Sequence, residues 1–213
     1  RTVDIARKFK ARIIRTDNPP VFHINKQKAI DAARGAWILQ LDADETVTAE
    51  LGSEIRSVVS TGGGINGYYL PRKNYFWGRF MTKGGQYPDY VIRLVRRGQA
   101  RFPAKSVHEQ ISVTGEAGYL KNPLIHYAYR TQGDYWRKAR HYIALSAAEM
   151  KRQGIKTGPA AFVKYFLAEP LRIFFLIFFR HKGFMDGWRG FLFAVYSGLH
   201  PVLSFAEFLR SRI

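Results

Sequence analysis

A chain of 213 residues with 46% hydrophobic and 23% charged side chains can bury a core, which excludes a disordered or low-complexity protein. The absence of cysteine excludes disulfides and thiolate metal centres and suits a reducing compartment. A net charge of +18 calls for an anionic partner, whether nucleic acid, an anionic membrane surface or a polyanionic substrate.

In chain order, Val3, Ile5, Ala6 and Phe9 have helical spacing, so a short helix is expected over 3–9. A strand is expected at 11–15, then a polar loop through Asn18-Pro19-Pro20. A second helix over 26–33 stops at Gly35, and the apolar run 36–41 reads as a buried strand. Thr48 caps a helix running to about Ser60, which Gly62 to Gly64 end. This αβαβα order predicts a parallel sheet covered by helices.

From Asn66 the pattern turns to strands, at 68–72, 90–95, 110–113 and 123–129. Residues 135–151 have helical spacing, with Tyr135, Ala139, Tyr142, Ile143 and Leu145 apolar among basic residues. The last third is aromatic and basic. Segments 160–179 and 191–209 are strongly apolar, but Lys164, Glu169, Pro170 and Arg172 interrupt the first, and His200, Pro201 and Glu207 the second. A bilayer span needs about 20 predominantly apolar residues. Both segments therefore read as helices lying in a membrane interface, a buried helical core being the plain alternative. Residues 120–213 carry 15 Lys and Arg against 5 Asp and Glu. Cationic charge concentrated among Phe and Leu favours a membrane surface over nucleic acid.

The chemistry centres on Leu41-Asp42-Ala43-Asp44-Glu45, three acids after an apolar strand. Ligands of open α/β sheets bind beyond the carboxyl ends of strands. Two carboxylates one residue apart on extended chain face the same way and can hold one hard cation, which bridges phosphate oxygens. A solvated acidic turn capping the next helix is the alternative.

The stretch Asn25-Lys-Gln-Lys-Ala-Ile-Asp-Ala-Ala-Arg-Gly-Ala-Trp-Ile-Leu-Gln-Leu-Asp-Ala-Asp-Glu45 resembles glycosyltransferase family 2, in which a helix, a glycine and an apolar strand lead into a metal-binding Asp-x-Asp. Tyr69-Leu-Pro-Arg-Lys-Asn-Tyr-Phe-Trp-Gly-Arg79, Gly84-Gly-Gln-Tyr-Pro-Asp-Tyr-Val-Ile-Arg-Leu-Val-Arg-Arg97, Val107-His-Glu109, Pro123-Leu-Ile-His-Tyr-Ala-Tyr-Arg130 and Gly183-Phe-Met-Asp-Gly187 occur with it. Together they are similar to bacterial lipopolysaccharide-core glucosyltransferases and their envelope-polysaccharide relatives. Arg1-Thr-Val-Asp-Ile-Ala resembles the segment after the loop that opens the family's nucleotide-binding half, so the resemblance implies that a first nucleotide-binding strand precedes it. The chain departs from many relatives at Lys26-Gln27, where they have Arg-Asn.

The resemblance implies an α/β, GT-A-like (Rossmann-like) three-layer sandwich, incomplete at its N-terminus, over residues 1–130. A basic, aromatic helical region over 131–213 would associate with the membrane. It implies inverting transfer of a hexose, from a UDP-sugar, to a hydroxyl of a membrane glycolipid or lipopolysaccharide-core acceptor at the cytoplasmic face of the bacterial inner membrane. The protein would be peripheral or monotopic and would use Mg2+ or Mn2+. Asp42 and Asp44 match the metal and diphosphate pair, with Asp44 the better direct ligand, and Glu45 completes the motif as a donor contact or a cap. His108 is a late metal ligand or diphosphate contact.

Two residues compete as the general base that inverting transfer needs. Asp89 precedes a strand carrying Arg93, and Glu109 adjoins His108. A salt bridge to Arg72 or Arg93 is the plain reading of Asp89, and a strand-end polar pair that of His108-Glu109. Arg93, Arg96 and Arg97 suit donor phosphate or an anionic acceptor, because guanidinium forks match phosphate oxygens. The last two also read as a solvated turn. His126 reads as a satisfied core histidine. Tyr75, Phe76 and Trp77 suit either a sugar platform or loop packing. A non-enzymatic basic module binding membrane or RNA is the competing class, but no nucleic-acid-binding motif occurs.

Overall fold

The computed structural model describes residues 2–17, 23–103 and 110–212. In chain order its elements are α1 (Thr2–Lys8), α2 (His23–Asp31), β1 (Trp37–Leu39), β2 (Glu45–Val47), α3 (Ala49–Thr61), β3 (Ile65–Phe76), β4 (Arg79–Phe80), β5 (Asp89–Arg96), β6 (Ala100–Arg101), β7 (Ser112–Val113), β8 (Glu116–Tyr119) and β9 (Leu124–Tyr129). Helices α4 (Gln132–Arg152), α5 (Pro159–Val163), α6 (Glu169–Phe175) and α7 (Gly187–Arg210) follow. The architecture is mixed α/β, in two compact units that the chain crosses several times.

The first unit comprises Arg1–Asp42, Ala49–Leu70 and Tyr90–Asn122. Here β1 pairs antiparallel with β5, Trp37 opposite Arg96 and Leu39 opposite Leu94, and β8 runs parallel to the first half of β3. Ile30 of α2, Ile92 and Val95 of β5, Phe102 and Ile111 form the core, with Ile38 packed against it. Gly62, at φ 64°, ends α3 in a conformation that glycine adopts without steric cost.

Three expectations fail in this unit. Residues 11–15 form no strand: they are exposed, and Arg12 instead donates to the Ala32 carbonyl at the end of α2. β1 pairs antiparallel with β5 at the edge of the sheet, so the expected run of parallel strands does not form. The expected strand at 110–113 shortens to Ser112–Val113, paired with β6.

The second unit comprises Ala43–Thr48, Pro71–Asp89 and Pro123–Ile213. The second half of β3 pairs parallel with β9, which pairs antiparallel with β2. β3 turns back into β4 through Trp77 and Gly78, both at positive φ, as a two-residue type I′ hairpin requires. Thr131 caps α4 in a reciprocal box with Asp134, and Tyr135, Ala139 and Ala147 form its buried stripe.

Against α4 and α6 lies α7, whose Gly190, Ala194 and Gly198 recur every fourth residue on one buried face. A Cβ on Gly190 would meet the Gly183 carbonyl oxygen at 1.9 Å, and one on Gly198 the Pro170 oxygen at 2.9 Å. Backbone approaches backbone there, and only glycine fits. Asp186, ahead of α7, is buried and accepts from Thr82 N, Thr82 Oγ1 and Lys83 N at 3.0, 2.9 and 2.8 Å. That gives the Gly183-Phe-Met-Asp-Gly187 motif an architectural reason.

Candidate active site

Strand register assembles the site in the second unit. His126 of β9 lies opposite Asn74 of β3 on one side and Glu45 of β2 on the other. Residues abreast on neighbouring strands present their side chains to the same face, and Arg72, two residues before Asn74, shares it. Four polar side chains, Arg72, Asn74, His126 and Glu45, thus share one face of the sheet. Asn74 and Glu45 are buried, where a polar group needs partners.

They have them. Asp89, at the start of β5, accepts through Oδ2 from Arg72 Nε at 2.9 Å, Arg72 Nη2 at 2.6 Å and Asn74 Nδ2 at 2.9 Å. Arg72 Nη1 also lies 3.5 Å from Glu45 Oε1. Asn74 Nδ2 donates as well to the Gln86 carbonyl, so its Oδ1 is left to accept, at 2.6 Å from His126 Nδ1. The proton of that contact therefore sits on Nδ1. His126 Nε2 is turned to Asp44 Oδ2 at 3.6 Å, and Lys138 of α4 donates to the same oxygen at 2.9 Å. His126, and then Lys138, hold the Asp44 carboxyl well below the usual carboxylate range against the opposing effect of burial. The second oxygen of Asp44 and that of Asp89 accept no hydrogen bond from a described residue, and both side chains are partly exposed.

Asp42 belongs to the first unit. Its Oδ2 accepts from Arg93 Nη2 at 2.8 Å, and its Oδ1 lies 2.5 Å from Lys26 Nζ and 3.1 Å from Gln40 Nε2. Gln40 in turn accepts from Arg93 Nη1 at 2.5 Å. Burial alone would raise the Asp42 carboxyl, but Arg93 and Lys26 outweigh it and lower it. Asn25, Lys26, Gln40 and Asp42 line a cleft of about 520 Å³ between α2 and β1.

Of the residues singled out in the sequence, Asp44, Glu45 and Asp89 thus share one network, and Asp42 and Arg93 share another. His108 and Glu109 lie outside the described residues. Arg96 stacks on Trp37 and donates to the Gly63 carbonyl, while Arg97 stays exposed. Phe76 and Trp77 are buried, Trp77 stacked on Trp188 at 5.8 Å, so both are packing residues. Tyr75 keeps partial exposure and lines a cleft of about 290 Å³ with Gly78, Tyr127, Tyr129 and Arg130. Burial pushes the Tyr129 phenol up to about 12, so it stays a hydrogen-bond donor.

The sequence marks no role for Gln40, Asn74 or Lys138, marks Lys26 only as a departure from Arg-Asn, offers Arg72 only as a partner for Asp89, and reads His126 as core. The available signal is His126 within the apolar run of β9; in β3, Arg72 and Asn74 flank Lys73, so no alternation marks them.

A divalent cation can be held by one or two carboxylates together with substrate phosphates and water. Asp44, with one oxygen open, fits that mode. Asp42 has both oxygens engaged by Lys26, Gln40 and Arg93, so it would ligate only by giving up one of them. Among the described residues no three His, Asp or Glu side chains converge into a complete protein cage.

No protein-family model matches the chain. Over 184 residues it is 25% identical to the lipopolysaccharide core biosynthesis glycosyltransferase LpsC of Rhizobium meliloti, a match covering 85% of this chain and 67% of that protein. That likeness supports a glycosyltransferase relationship. A stretch of 57 residues is 44% identical to a TPR repeat-containing protein of Synechococcus elongatus, covering 27% of this chain but only 14% of that protein. The mixed α/β architecture, with an apolar C-terminal helix, is compatible with a glycosyltransferase-like fold.

Proposed function

We propose that this chain is a family 2, GT-A-type enzyme that transfers a hexose, with inversion, from a UDP-sugar to a hydroxyl of a membrane glycolipid. The acceptor is of the lipopolysaccharide-core kind, reached at the cytoplasmic face of the bacterial inner membrane. The likeness to LpsC supports the class of reaction. The observation that carries the site is Asp89, whose Oδ2 is held by three donors while its other oxygen accepts nothing from a described residue.

In this reading Asp89 takes the proton from the acceptor hydroxyl as the new glycosidic bond forms. Arg72 and Asn74 hold the carboxylate in place and cost no reorganisation at the moment of reaction. Glu109 is the alternative base, and His108 a further donor or metal contact. Asp44 would hold a divalent ion of the Mg2+ or Mn2+ kind. When bound, such an ion offsets the charge that builds on the departing nucleoside diphosphate. Lys138 and His126 keep Asp44 ionised.

The test is Asp44→Ala, assayed by nucleoside diphosphate release across a series of metal concentrations. Metal-dependent turnover should vanish while the circular-dichroism melt persists; undiminished turnover would refute the metal assignment.

A further inference from the structure

The helix that begins at α5 and ends near Arg180 is not uniformly α. Glu169 N donates to the Lys164 carbonyl and His181 N to the Leu176 carbonyl, five residues back, so Lys164–Ala168 and Leu176–Arg180 are π-helical turns. Pro170 has no N–H to offer the Phe166 carbonyl, which favours widening the turn before it by one residue. The widening has a consequence at the surface. In a regular α-helix the five-residue step from Phe166 to Leu171 would carry the side chain about 140° around the axis. The π turn takes up one residue more than an α turn, which reduces that rotation.

Phe162, Phe166, Leu171, Phe175 and Phe179 are each between 43% and 54% exposed. Phe162 stacks on Phe166 at 5.7 Å and Phe175 on Phe179 at 5.4 Å, as side chains on one stripe do. Phe184, Met185 and Trp188 add further exposed apolar surface. Between Pro159 and Phe191 every exposed ionisable side chain is basic: Lys164, Arg172, Arg180, His181 and Lys182. Glu169 is the partner of Arg172, and Asp186 is buried.

We propose that this face docks the chain onto an anionic lipid bilayer, with the aromatic stripe in the headgroup and upper acyl region and the basic side chains on lipid phosphates. The inference deepens the membrane-acceptor reading above and rests on it for its biological sense. Charge chooses the occupant. A second copy of a chain with net charge +18 would bring cations against cations, whereas an anionic bilayer complements them.

The experiment is co-sedimentation of the protein with phosphatidylcholine vesicles, with and without phosphatidylglycerol. It compares wild type, Phe175→Ser with Phe179→Ser, and Lys164→Ala with Lys182→Ala. Wild type should partition to the anionic vesicles. The double serine variant should lose at least about tenfold in partitioning, and the double alanine variant about fivefold per charge removed. Melting curves should be unchanged, since these side chains are exposed. Equal binding to neutral vesicles, unchanged binding by the serine variant, or a wild-type dimer that the serine substitutions dissolve would overturn the proposal. Nucleoside diphosphate release from a soluble donor and acceptor is followed in the same samples. Release lost with lipid binding intact counts against sugar transfer; lipid binding absent with release intact counts against the docking face.

Discussion

His126 Nδ1 and Asn74 Oδ1 stand 2.6 Å apart on neighbouring parallel strands, and the donors of the same amide are spent on Asp89 and the Gln86 carbonyl. One side chain thus holds both the His126 ring and the proposed base in position. Asn74→Ala should lower kcat for sugar transfer by about 10- to 100-fold, because a positioning partner is lost while the reacting groups remain. The donor KM should change little. Equal losses in binding and turnover would place Asn74 in substrate contact instead.

The depressed carboxyls predict an acid-sensitive fold. Asp44 and Asp42 both lie below their ordinary value of 3.8 in the folded chain, so the unfolded chain binds more protons as pH falls. Their stabilisation is present in full above about pH 4 and is lost as pH drops through the folded values. Asp44→Asn should therefore be less stable than wild type at neutral pH, with the gap closing below pH 4. Urea midpoints measured across that range test this, and a gap independent of pH would contradict it.

Asp186 makes a third prediction. Removing a buried carboxylate that satisfies two backbone N–H groups and a hydroxyl leaves all three unmet. Asp186→Ala should cost about 3 kcal/mol or more in urea unfolding, with Asp186→Asn recovering part of it.

What the sequence disclosed follows from which signals are local. The helix read from Tyr135, Ala139, Tyr142, Ile143 and Leu145 and the stop at Gly62 depend on spacing and on one glycine, and both are legible, though of those five only Tyr135 and Ala139 are buried, together with Ala147. The strand at 124–129 was legible as a short β-branched and aromatic run. Pairing was not, because nothing local in Trp37–Leu39 says that its neighbour is β5, running antiparallel. The same holds at the candidate site. Asp42 and Asp44 were visible as a motif, but their partners arrive from distant segments: Lys26 and Arg93 for one, His126 and Lys138 for the other. His126 looked like a core histidine because its neighbours in sequence are apolar; the groups it meets are Asn74, 52 residues away, and Asp44.

The most direct test of the account is nucleoside diphosphate release from a UDP-hexose with a lipopolysaccharide-core acceptor and Mn2+, comparing wild type with Asp89→Asn. The account predicts acceptor-dependent release by wild type and a loss of about a thousandfold in the variant, with the donor still bound. Full activity in Asp89→Asn, or no release from any sugar nucleotide by wild type, would contradict it.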